Sequence, residues 1–152
     1  MTKASNTRNR AQMLTGVKVV VQKNVHADVK RAVCKFVAWL RRHSDFPVRL
    51  TIYLFAEERV TAPSGNTGYS FLWKPDDRTN PAVIHAATGD YDELLKTRGN
   101  MDDALCAVLY SIILHIVQYQ DWCFEKSWSK ATIKRHQNAL LNKYASDVKD
   151  II

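Results

Sequence analysis

Apolar residues recur along this chain with two spacings, every second residue and every third or fourth, and the alternation between them outlines its elements. Val17-Lys18-Val19-Val20-Val21 is β-branched and bounded by Gly16, which predicts a strand. From His26 to Arg42, Val29, Val33, Phe36, Val37 and Leu40 recur at helical spacing with Lys30, Arg31, Lys35 and Arg41 between them. That pattern predicts an amphipathic helix with one face on a sheet. Pro47 follows, and Val48 to Phe55 is the strongest strand signal. Pro63-Ser64-Gly65-Asn66 is turn chemistry, and two further extended runs follow at Gly68 to Trp73 and Ala82 to Ala87. A short helical segment is expected around Asp92 to Lys96. A long helix starts near Asn100 or Met101, where Asp102 and Asp103 suit the positive end of its dipole. Leu105, Val108, Leu109, Ile112 and Ile116 give that helix a broad apolar face, and a last helix over Ser129 to Lys149 turns Ile133, Leu140, Leu141, Tyr144 and Val148 inward. The order β-α-β-β-β-α-α is that of an α+β fold.

At 152 residues the chain suits a single domain over residues 16–152, preceded by a polar tail over residues 1–15. No apolar run approaches the ~20 residues of a membrane span, and the first residues lack a signal-peptide core. The expected setting is therefore cytoplasmic, away from a membrane. Cys34, Cys106 and Cys123 are too few for a disulfide framework, and no CxxC occurs. Cys34 and Cys106 are expected to be buried thiols, with Cys123 the more exposed. The net charge of +7 admits nucleic acid or an acidic protein surface as a partner without choosing between them.

The chemistry-bearing stretch is residues 111–122, Ser-Ile-Ile-Leu-His-Ile-Val-Gln-Tyr-Gln-Asp-Trp. It resembles, without a gap, the S-I-x-H-E-L-V-H-Y-x-Q-W pattern of a metallopeptidase helix. In that pattern two imidazoles one turn apart hold zinc and a Glu activates water. Phe46-Pro47-Val48-Arg49-Leu50-Thr51-Ile52-Tyr53-Leu54 is similar to the F-P-V-R-x-x-x-Y strand of small bacterial and phage-encoded zincin-like proteins (gluzincin-type, SprT-like). Ile84-His85-Ala86-Ala87-Thr88-Gly89-Asp90-Tyr91 is similar to their I-x-I-A-T-G-D-Y segment. The likeness covers about residues 17–145. It implies a minimal gluzincin core, made of a small twisted sheet, an N-terminal helix, a buried motif helix and a C-terminal helix.

The zinc chemistry is missing from that frame. Leu114 stands at the first ligand position, His115 at the general base and Gln118 at the second ligand. A hydrocarbon cannot coordinate zinc, and a neutral amide is a poor ligand. Between Glu125 and Asp147 there is no acidic residue to complete the site. Shifting the alignment to make His115 the first ligand puts Ile116 at the base and Tyr119 at the second ligand, which is no better. The expectation is a protein without metal, cofactor or catalytic residues, its Leu114 refilling the floor of the old pocket. His115 is expected to be hydrogen-bonded within the vestigial cleft, and Tyr119 and Trp122 to pack the helix against its neighbours.

Three uses of such a chain follow. The first is a protein-binding module that holds a polypeptide in the emptied cleft. The phage-like resemblance implies an inhibitor of a host enzyme or defence complex encoded on a mobile element. The second is nucleic-acid binding through Lys126, Trp128, Lys130, Lys134 and Arg135, where basic side chains would meet phosphates and Trp128 would stack a base. The third is a hydrolase with a non-standard site around His115, or a relocated metal site joining His85, His115 and His136.

Overall fold

Val17–Val21 forms β1, which lies parallel to β2 (Leu50–Phe55), and β2 lies parallel to β6 (Ala82–Ala87). Short apolar, β-branched runs such as these suit the interior of a parallel sheet. The computed structural model describes residues 16–44, 46–77, 79–124 and 129–152. The extended run expected at Gly68 to Trp73 breaks at Tyr69. Thr67–Gly68 (β4) pairs with Val60–Thr61 (β3) in a small hairpin, and Ser70–Trp73 (β5) joins the main sheet antiparallel to β6. The hairpin strand β3 has only two residues, too few to show a period in the sequence. The main sheet has the order β1-β2-β6-β5, so β5 is an outer strand.

The register sorts the strands into two faces. Val19, Ile52, Ile84 and Leu72 form one row across the sheet, and Val21, Leu54, Ala86 and Ser70 the next. Their apolar members belong to or pack on the core. On the opposite face the rows are Lys18, Thr51, Val83, Trp73 and Val20, Tyr53, His85, Phe71.

Helix α1 (Ala27–His43) starts where the His26 imidazole accepts from the amide of Asp28 at 3.0 Å. It buries Val29, Ala32, Val33, Phe36, Val37 and Leu40, the face its spacing predicts. Arg41, from its last turn, donates to the carbonyl of Val17 at 2.7 Å and ties the helix to β1. Cys34 points away from that face and is exposed, against expectation, because the buried stripe passes through positions 33 and 37. The order of burial is reversed: Cys106 is partly buried and Cys123, inside the long helix, is the buried thiol.

Helix α2 (Tyr91–Arg98) ends on Gly99 in the left-handed conformation, φ 81°. Asn100 then opens α3 (Met101–Phe124). Its side-chain oxygen accepts from the amide of Asp103 and its amide donates to the Asp103 carboxylate, both at 2.8 Å. The buried residues of α3 include Leu105, Val108, Leu109, Ile112 and Ile116, together with Ile113 and Val117. Residues Met101–Cys123 are long and apolar enough, at a mean hydropathy of 1.4, to cross a membrane by length and composition. This corrects the expectation that no segment approaches a span in length, because scattered polar residues interrupt the apolar run. In the fold α3 is the central core helix, in contact with α1, α2, β5, β6 and α4 (Lys130–Ile151). Tyr144 and Val148 of α4 are buried, as their spacing predicts; the side chains of Ile133, Leu140 and Leu141, and the tail over residues 1–15, lie outside the described residues. The architecture is α+β, with the helices on one face of a small mixed sheet.

Candidate functional site

The motif helix α3 runs beside the outer strand β5, and the two meet at His115 and Ser70. The imidazole Nδ1 of His115 lies 2.7 Å from Ser70 Oγ and 2.9 Å from the carbonyl of Ser111, one turn back on the same helix. A carbonyl only accepts, so the proton sits on Nδ1. Ser70 Oγ, 3.3 Å from the same carbonyl, donates to it and accepts from the ring. In this arrangement Nδ1 has no lone pair to offer Ser70 as a base, and the neutral ring keeps its lone pair on Nε2. Burial holds the His115 pKa below its ordinary value, with the bond to Ser111 opposing that shift.

Leu114 and Gln118 flank His115 on α3, and both are only partly buried. Leu114 sits at the margin of the core, half-buried, neither sealed in nor fully exposed. Leu114 and Gln118 lie one turn apart on the side of α3 that its neighbours leave partly open, whereas Ile113, Ile116 and Val117 face the core. The residues at the three motif positions do not fit a zinc ion. Leu114 has no donor atom, Gln118 offers a neutral amide, and the Nδ1 of His115 is already committed. Among the described residues, no three His, Cys, Asp or Glu side chains gather into a group that could hold a metal. In the relocated site of His85, His115 and His136, the first two are separated by the sheet, and the side chain of His136 lies outside the described residues. His85 lies on the face with Tyr53, Phe55 and Phe71, while His115 meets the opposite face through Ser70.

Tyr119 and Trp122, matched to the resemblance, pack as expected. Tyr119 is fully buried, stacks on Phe46 at 5.8 Å, and its hydroxyl donates to the carbonyl of Val48. This joins the motif helix to the Phe46-Pro47-Val48 segment that carries the second stretch of the likeness. At the far end Ser44 Oγ donates to Tyr144 Oη at 2.9 Å, which donates to Gln120 Oε1 at 3.0 Å, linking α1, α4 and α3.

Where β5 begins, a cavity of about 270 Å³ opens between Tyr69, Thr88, Asp90, Arg98, Tyr110 and Ser111, with Leu94 and Val108 in its wall. Arg59 braces its rim. It donates to Asp90 at 2.9 Å and to the Tyr69 hydroxyl at 3.0 Å, with its guanidinium over the Tyr69 ring. Tyr69 and Tyr110 are about half exposed, and so is Trp73 at the other end of β5.

None of Ser70, Tyr69, Tyr110, Trp73 or Arg59 stood out in the sequence. The alternation along β5, which sets Ser70 on the same face as Leu72, is the signal that could have found it. Of the basic group, Lys134 and Arg135 are exposed on α4; Lys126, Trp128 and the side chain of Lys130 lie outside the described residues. No protein-family model, curated protein or solved structure matches this chain.

Proposed function

We propose that the chain is a non-catalytic protein-binding module on a degenerate zincin-like frame, which holds an extended polypeptide along the open side of β5. The observation that carries this reading is the position of β5, an outer strand with the motif helix on one side and the 270 Å³ cavity at its end. An antiparallel outer strand beside the motif helix also supports the zincin-like reading of the sequence.

The pairing tells which groups would do the binding. Ala87 N donates to Tyr69 O, so in this antiparallel register residues 69, 71 and 73 bond to β6. Ser70 and Leu72 therefore turn their backbone N–H and C=O groups to the open side. An added strand satisfies those groups and gains main-chain hydrogen bonds, while its side chains reach the cavity between Tyr69 and Tyr110. The proton on Nδ1 of His115 and the unsuitable ligand set favour holding over cutting. A small basic binder of this kind suits the inhibition of a host enzyme or defence complex in the cytoplasm.

The test begins with panning a random peptide display library on the purified protein. Hydrogen exchange is then measured with a selected peptide bound. Slowed exchange at the amides of Ser70 and Leu72, and weaker binding by Tyr110→Ala, are expected. Peptides that protect α4 and leave β5 unchanged would overturn the reading and return interest to Lys134 and Arg135.

A further inference from the structure

The helices cover one face of the main sheet, and the other face carries an aromatic layer. Tyr53, Phe55, Phe71 and Trp73 project from this side, and none belongs to the core cluster or packs on it. His85 lies at the centre, with ring centroids 4.8 Å from Phe71, 5.0 Å from Phe55 and 5.2 Å from Tyr53. Trp73, at the outer strand, is 45% exposed. Parallel strands usually have both faces covered, so a partly open aromatic face on such a sheet is unusual.

Its charge has one sign. Lys18 is exposed at one end of the row that ends in Trp73, and Arg49 stands half-buried just before Thr51 on the same side of β2. None of the outward residues of the four strands is acidic, and the whole chain carries +7. Beneath the layer, Thr51 Oγ1 and Arg49 Nε are buried without hydrogen-bond partners, and Thr51 itself is 3% exposed.

We propose that this sheet face is a platform for single-stranded nucleic acid, with Trp73, Phe71 and Tyr53 stacking bases and Lys18 and Arg49 meeting phosphates. Bases offer flat faces to stack only when they are unpaired, and aromatic side chains on a sheet accept them without regard to sequence. Strands about 4.8 Å apart space the rings for roughly two or three successive nucleotides. A duplex hides its base faces, so this surface discriminates against it. The platform is distinct from the open side of β5 and does not depend on that reading.

The experiment uses the full chain with fluorescein-labelled deoxythymidine and uridine decamers, and a duplex of the same length, at about 50 mM salt, where phosphate contacts are strongest. Single strands are expected to raise the anisotropy and quench tryptophan emission, with the duplex much weaker. Trp73→Ala is expected to weaken binding about tenfold, and Trp73→Phe to restore most of it, as loss and replacement of one stacked base require. Lys18→Glu, on an exposed site that leaves folding intact, is expected to weaken binding and flatten its salt dependence. Lys134→Glu with Lys143→Glu on α4 leaves it nearly unchanged. Loss of binding in the α4 variant with retention in Trp73→Ala would overturn the proposal. So would equal affinity for duplex, absence of binding to either decamer, or self-association through this face in sedimentation that Trp73→Ala abolishes.

Discussion

The hydroxyl of Tyr91, in the first turn of α2, donates to the carboxylate of Asp28 at the start of α1 across 3.0 Å, joining two elements 63 residues apart. Tyr91 is 1% exposed, and its ring meets His26 edge-on at 4.7 Å. Burial first, and the bond to Asp28 second, push its pKa up to about 12. The folded protein then keeps a proton that an unfolded tyrosine, with a pKa near 10, gives up. Stability from this group is complete below about pH 10 and is lost as pH rises toward 12, on the order of 2 kcal/mol. Urea unfolding of the native protein and of Tyr91→Phe is expected to show their difference shrinking by that amount between about pH 9 and 12. A constant difference would refute the shift.

His115 has the opposite sign. Its folded pKa lies below the ordinary imidazole value, so the folded state binds fewer protons than the unfolded one as pH falls. Stability from the neutral ring is present above about pH 6.5 and lost as pH drops through the folded pKa. The stability of the native protein relative to His115→Gln is expected to be larger at pH 8 than at pH 5. Nitrogen chemical shifts of the ring check the tautomer, with Nδ1 protonated at pH 7. Removing its partner, in Ser70→Ala, costs about 1 kcal/mol.

Partial exposure of Leu114 sets the cost of restoring a ligand there. Leu114→His puts an imidazole where water still reaches, so thermal unfolding is expected to change by less than about 1 kcal/mol. Neither the native chain nor this single variant is expected to retain zinc through dialysis against a chelator. Adding His115→Glu, Gln118→His and one acidic residue within 130–135 supplies two imidazoles one turn apart, the carboxylate between them and a third ligand, and elemental analysis is expected to find zinc in that fully restored variant alone. Zinc held one-to-one by the native chain would contradict the lost-site reading.

Gly89 separates two kinds of glycine. A Cβ built there lies 2.4 Å from the carbonyl oxygen of Ala56, 2.6 Å from Glu57 C and 2.7 Å from Glu58 N, all backbone atoms. Gly89→Ala must therefore push apart the segment after β2 and the segment before α2, at about 3 kcal/mol or more. At Gly99 nothing lies within 4 Å and only the positive φ resists, so Gly99→Ala costs about 1 kcal/mol. Equal melting temperatures for the two variants would show that the segments around Gly89 part easily.

Periodicity revealed the elements whose burial is one-sided. The spacing of Val29, Val33, Phe36, Val37 and Leu40 locates α1, and the apolar positions of α3 and the short apolar runs of β1, β2 and β6 are equally legible. Two-residue strands such as β3 have no period to detect. Cys34 is exposed and Cys123 buried, the reverse of what their neighbours in sequence suggest, because angular position around a helix decides burial. The motif positions Leu114, His115 and Gln118 were legible as lost chemistry. Their partner Ser70 was not, because a contact between residues 45 apart depends on how β5 turns back against β6.

The hydropathy of α3 bears on how the protein is made. Residues Met101–Cys123 leave the ribosome before α4, the helix that covers part of them. In that interval the nascent chain displays a segment with the length and apolar composition of a membrane span. The carboxylates of Asp102, Asp103 and Asp121 are costly in lipid, and they bias the segment toward staying in water until α4 arrives. Replacing the exposed Asp102 with a neutral residue would leave the core packing in place and yet weaken that bias, a fault of targeting rather than of stability.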